Sequence, residues 1–338
     1  MSKSPKREIS LRRVGAVWAL LVVALAALSL IAIAVGSAGY SVGEILRALL
    51  SGEDSTIRVI IFSLRLPRLL LAIMIGASLS ASGALLQSVM RNPLADPGTI
   101  GVSAGAGTAA TTVLLLFPAL TNAVPLFAFG GAALACALIY SLAWKRGVDP
   151  TRIILSGVAV NSVLGAYNSL LQMMHSDSLE GVLAFMNGSL SGRAWAQVQT
   201  LSIYAAIGLV LAFMGIKSAN ALQLGDEMAK SLGVKVNGCR IFLSAVSAFL
   251  AAATVSVAGM IGFVGLVVPH ISRLLVGSDY KAMLPTSVLL GAVVLLAADT
   301  LGRTIIPGME IPVGIVMAVT GGPFFLYMLR KKGKVSGN

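Results

Sequence analysis

The sequence predicts an all-α polytopic membrane protein with about ten transmembrane helices. Three observations predict it. Of 338 residues, 57% are hydrophobic and only 11% are charged, against roughly 25% charged in an ordinary soluble domain. Apolar runs of about 20 residues recur along the chain, each long enough to cross a hydrocarbon core of roughly 30 Å. Within that core a helix satisfies every backbone polar group without water, so the fold is all-helical.

The first run, 14–35, follows the basic tail 1–13, MSKSPKREISLRR. Ala32 and Ala34 form a weak signal-cleavage pattern, but the run is too long for a typical signal core and reads as the first helix. The second run, 68–89, contains GASLSASGALLQ, where Gly76, Ser80 and Gly83 leave one helix face bare for a close neighbour. Asn92 and Pro93 end it, and Asp96 with Pro97 opens the third run, 95–117. A carboxylate costs about 3 kcal/mol at mid-membrane and far less at a helix end, so Asp96 reads as a cap and not as a proton carrier. Gly101, Gly105 and Gly107 keep the third helix thin. Further spans fall at 124–143, 152–173 and 197–216, the last two separated by an external segment, 173–195. A polar interruption, 217–240, leads to 241–259, a short span at 261–275, then 283–302, 311–329 and a tail, 330–338. Cys136 and Cys239 occupy a span and a helix start, places where no disulfide is expected.

With the N-terminus inside, only Arg47, Arg58, Arg65, Arg68, Arg193 and Arg303 of the 25 basic residues lie outside, so the positive-inside rule puts both termini in the cytoplasm. The net charge of +12 therefore reflects topology. The basic residues punctuate apolar runs without forming a solvated basic face, which argues against a nucleic-acid partner. No Cys, His and carboxylate cluster has metal spacing, and no cofactor is expected. Gly101, Ser103 and Gly105 match the nucleophile elbow G-x-S-x-G, but that elbow needs a strand-to-helix turn. An intramembrane serine protease with His270 as base is the enzyme alternative, and nothing else in the chain supports it. There is no phosphate-binding P-loop, so transport would draw on a gradient or on a separate ATPase. A gradient-driven carrier places ionisable groups at mid-membrane. Here Asp299 alone sits in a late span, four residues before Arg303 and so spaced to pair with it.

The interruption 217–240 favours the separate ATPase. Its segment LGDEMAKSLGV predicts a two-turn helix that Asp226 can cap and Gly233 can end, with Leu224, Met228 and Leu232 offering apolar contacts. Glu227, Ala229 and Gly233 fit the E-x-A-x-x-x-G spacing of coupling loops in ABC importers.

Five stretches in order, RLPRLLLAIMIGASLSASGALLQSVMRNPLADPGTIGVSAGAG (65–107), FMNGSLSGRAW (185–195), LGDEMAKSLGV (224–234), GMIGFVGLVVPHISRLLVGSDY (259–280) and IPVGIVMAVTGGPFFLYMLR (311–330), carry a wider likeness. The chain resembles the FecCD-type permeases of ABC importers for iron chelates and cobalamin. Asn187 departs from the larger apolar residues this family often has there. The resemblance implies one permease domain over 1–338, of the type II ABC importer fold, in a bacterial or archaeal cytoplasmic membrane. It implies a second permease subunit, identical or paralogous, two ATP-binding subunits and an extracytoplasmic binding protein, with no catalysis by this chain. Ferric siderophore, haem or cobalamin would be the cargo. Arg65, Arg68 and Arg303 would dock the binding protein. Leu224, Asp226, Glu227, Met228, Ala229, Leu232 and Gly233 would couple to the ATPase. Asp96, Gly101, Ser103 and Gly105 would flank the path, with Asn187 and Gly188 in a gating segment.

Overall fold

The computed structural model describes residues 11–35, 56–144 and 149–333. Residues 1–10 and 334–338 of the two basic tails, and Arg47, lie outside them. The described chain is helical, with no β-strand. Among the described residues, seven helices are long and apolar enough to cross a membrane, and three shorter apolar helices bring the number to the ten expected from the sequence.

In chain order the elements are α1 (Leu11–Ala34), a short α2 (Thr56–Ile60) running through a π turn into α3 (Leu66–Met90), α4 (Val102–Leu116), α5 (Val124–Ala143), α6 (Pro150–Met174) and the short α7 (Glu180–Asn187). Then come α8 (Trp195–Met214), α9 (Ile216–Gln223), α10 (Asp226–Ser231), α11 (Val236–Ala258), α12 (Val264–Val276), α13 (Tyr280–Thr304) and α14 (Val313–Gly333).

The core is organised round α3, which is buried on nearly every side and packs against α8, α11, α12 and α13. Its small residues permit this. A Cβ added at Gly76 would overlap the carbonyl of Gly291 on α13, and one at Gly83 would overlap the backbone of Gly265 on α12. Where lipid is as apolar as leucine, close approach and interhelical hydrogen bonds drive helix association. Both operate here: Ser82 Oγ donates to the Ser247 carbonyl on α11 at 2.7 Å, and Ser247 Oγ donates back to the Ser82 carbonyl at 2.9 Å. Leucines and valines on α1, α5, α6 and α8 point outward, as a lipid solvent requires.

Two local expectations need correction. The third helix begins at Val102, not at 95, because Asp96 caps a separate 3₁₀ turn, Pro97–Ile100, accepting from the Gly98 N–H at 2.8 Å. Gly101, at φ +82°, then turns the chain into α4. The cap of α10 is Gly225, at φ +95°, and Asp226 is the first helical residue, its carboxylate taken by two arginines.

Candidate functional site

Three zones carry the candidate residues. At one end of the bundle, α3 begins beside the end of α13, and the π turn that precedes α3 brings in Arg65. Arg68 grips Asp299 with its fork, Nε and Nη2 lying 2.9–3.1 Å from the carboxylate oxygens, while its Nη1 reaches Glu310 at 2.8 Å. Arg303 lies 3.3 Å from the same Asp299, the pair expected from their spacing. Arg303 also donates to the Ala32 carbonyl, and Arg65 donates to the carbonyls of Ile33 and Ala34. Two cations thus sit at the C-terminal end of α1, where the helix dipole is negative. The three arginines expected together at the outer face are together. Their side chains, however, are largely buried and joined to partners within the chain. Glu310, in the loop after α13, is the half-exposed member. Burial works to raise the pKa of its carboxyl, but Arg68, with Ser191 and Arg303, holds it below the ordinary glutamate range.

The second zone is the end of α7. Gly188 adopts φ +64°, and a Cβ there would strike the Met260 carbonyl. The Met260 N–H donates to the Phe185 carbonyl at 2.9 Å, the Ser189 N–H to the Ala258 carbonyl at 2.8 Å, and the Gly314 N–H to the Gly188 carbonyl at 3.2 Å. A Cβ at Gly259 would overlap the Phe185 carbonyl, and one at Gly314 the Asn187 carbonyl. The segment ending α7 is thereby clasped, backbone to backbone, between the α11–α12 connection and the start of α14. Of the other residues expected near the path, Gly105 packs against Gly131 of α5, each occupying the space a Cβ on the other would need, and Gly101 abuts Ile139. Ser103 is partly buried on the first turn of α4.

The third zone is α10, at the end of the bundle where α3 finishes. Met228 on the six-residue α10, and Leu224 and Leu232 flanking it, are all more than half exposed, at 55%, 57% and 63%, outside the spans. Glu227 is exposed beside them and Ala229 is buried against the bundle. Arg240 holds Asp226 at 2.9 Å and Arg91 approaches it at 3.4 Å, so the helix is pinned from below. Gly233, at φ +77°, ends it as expected.

The FecCD transport family model matches residues 22–331. The chain belongs to the FecCD transport family. An Fe(3+)-citrate import system permease protein of Bacillus subtilis, YfmD, is 43% identical over 299 residues, covering 88% of this chain and 90% of that protein. The cobalamin import permease BtuC of Halobacterium salinarum is 42% identical over 282 residues, 83% of this chain and 76% of that one. A solved ABC transporter assigned to the metal-chelate type, in an inward-facing conformation, aligns with a TM-score of 0.79 at 30% identity over 94% of this chain and 99% of its own. This FecCD member is therefore a membrane permease with the ABC importer permease fold, and the serine protease alternative falls away.

Sequence reasoning missed four participants. Glu310 sits in a loop, and Arg91 by its sequence position is one of the basic residues expected inside and nothing more. Gly259 and Gly314, which clasp the end of α7, carried no spacing that would link them to Gly188.

Proposed function

We propose that this FecCD permease is the membrane subunit of an ATP-driven importer for a bulky metal chelate, of the ferric siderophore, ferric citrate, haem or cobalamin class. The observation that carries the reading is α10. Three large apolar side chains exposed on and beside a short, pinned helix outside the spans make an unsatisfied surface suited to a cleft in an ATPase. The relatives support the cargo class by their own names. In this reading a second permease subunit completes the path, two ATPase subunits grip Leu224, Glu227, Met228 and Leu232, and both termini lie in the cytoplasm. A binding protein docks at the opposite end. There the three arginines outnumber Asp299 and Glu310 by one charge, and a partner carboxylate can reach Arg68 by displacing the half-exposed Glu310. The α7 clasp is the gate.

The test is uptake into vesicles holding the permease, its ATPase and its binding protein. Uptake should require ATP and survive collapse of the proton gradient, and Leu224, Met228 and Leu232 changed together to Ser should abolish ATPase binding while the permease stays folded. Uptake that follows the proton gradient and ignores ATP would make the chain a secondary carrier.

A further inference from the structure

A polar cavity of about 470 Å³ opens at the α10 end of the bundle, beneath the last turn of α3. That volume falls within the range of small-molecule sites. Its walls carry Arg91, Arg273, His270, Gln87, Gln223 and Tyr280, and among the described residues lining it there is no carboxylate. The cavity lies under the last turn of α3, the central helix of the bundle. Arg91 is the left-handed C-cap of α3, at φ +50°, its backbone N–H donating to the Gln87 and Ser88 carbonyls. Arg273 donates from Nη2 to Gln87 Oε1 at 3.2 Å, and the Gln87 amide nitrogen in turn is anchored 3.3 Å from the carbonyls of Gly265 and Leu266. The Gln87 side chain thus bridges α3 and α12 and fixes the guanidinium at the cavity wall.

We propose that this cavity is a binding site for a small multivalent oxyanion, presented to the permease on its α10 side. Arginine forks bind planar and tetrahedral oxyanions with paired N–H donors and keep their charge at any physiological pH. The chemistry is the same for a polycarboxylate and for a phosphate. Arg91 joins the site to the coupling surface, because it stands between the cavity and Asp226. Its 3.4 Å contact with Asp226 is the longer of that carboxylate's two ion pairs, and Arg240 keeps Asp226 paired at 2.9 Å when Arg91 turns toward an anion. An occupied cavity therefore loosens one of the two pins on α10. That the anion is cargo on the side of release rests on the importer reading; the binding itself does not.

The experiment is calorimetric titration of the full-length permease in lipid nanodiscs with citrate, inorganic phosphate and, as the uncharged control, trimethyl citrate. Citrate or phosphate should bind and weaken as salt rises, with the stronger of the two naming the anion class, while the ester should give no heat. Arg273→Gln and Arg91→Gln should each weaken binding about tenfold or more, the loss equivalent to one charge-assisted hydrogen bond. Arg273→Lys should recover part of it, and Arg152→Gln, an exposed change at the start of α6, should bind like the parent. Retained binding in both glutamine variants, equal binding of the ester, or loss of citrate and phosphate binding once the ATPase is docked overturns the proposal, the last by making the cavity a seat for the partner. A chain that binds anion yet supports no ATP-driven uptake sinks the importer reading and leaves the site standing.

Discussion

Asp299 is the residue on which one end of the bundle turns, the end where α3 begins. It is 2% exposed and faces two guanidinium groups, so its removal leaves Arg68 and Arg303 buried without their common counter-charge. Breaking a buried pair from one side costs about 3–5 kcal/mol, far more than the pair's net contribution. Asp299→Ala should lower the thermal midpoint of the detergent-solubilised permease by many degrees, and an unchanged midpoint would show that water reaches this cluster. Glu310 tests the same cluster by pH. Its folded pKa is depressed, so its contribution is complete at neutral pH and is lost as pH falls through and below the ordinary glutamate range. Melting of the parent should therefore decline on acidification by more than melting of Glu310→Gln, and identical profiles would count against the Arg68 contact. Half of this cluster was legible. Asp299 and Arg303 are four apart on one helix face, a spacing any reader can pair, whereas Arg68 lies 231 residues from Asp299 and nothing local joins them.

At the scale of elements, the positions and kinds of helix were legible and their partners were not. Runs of apolar residues bounded by Asn92–Pro93, Gly233 and the basic positions marked ten helices, because hydrophobic length and turn chemistry are local properties. The stripe Gly76, Ser80, Gly83 promised a close neighbour, and only packing revealed two of them, α13 and α12. Gly83→Ala puts a methyl group into the Gly265 backbone and should destabilise by about 1–3 kcal/mol, the cost of overpacking. Gly130→Ala has open space around it and should be neutral or slightly stabilising, by up to about 1 kcal/mol from helix propensity. Melting of the two variants side by side separates packing from propensity; equal effects would mean that α3 and α12 adjust freely. For α10 the local signs located the helix but misassigned Asp226. A residue suited to capping was claimed instead by Arg240 and Arg91, a tertiary choice that outweighs a cap worth about 1 kcal/mol.

For the whole molecule, the clasp at the end of α7 links α7, the α11–α12 connection and α14 through backbone contacts that admit no side chain. Interfaces packed this tightly shift between discrete arrangements more readily than they deform. Gly314→Ala would push against the Asn187 carbonyl and hold the segment off its seat, so ATP hydrolysis by the assembled transporter should persist while binding-protein-dependent uptake falls severalfold. Uptake at the parental rate would remove the gate assignment. The sequence by itself determined the solvent, the helical class, the ten spans and the family, because each rests on local hydropathy, punctuation or ordered motifs. Only the tertiary structure decided that Arg68 and Arg303 converge on Asp299 and Arg68 on Glu310, that Gly188 meets Met260 and Gly314, and that Arg91, Arg273 and His270 share a cavity. Those outcomes depend on which helices become neighbours, and in a membrane nearly every helix offers the same apolar surface, so small-residue fit and buried charge, met only in three dimensions, make the choice.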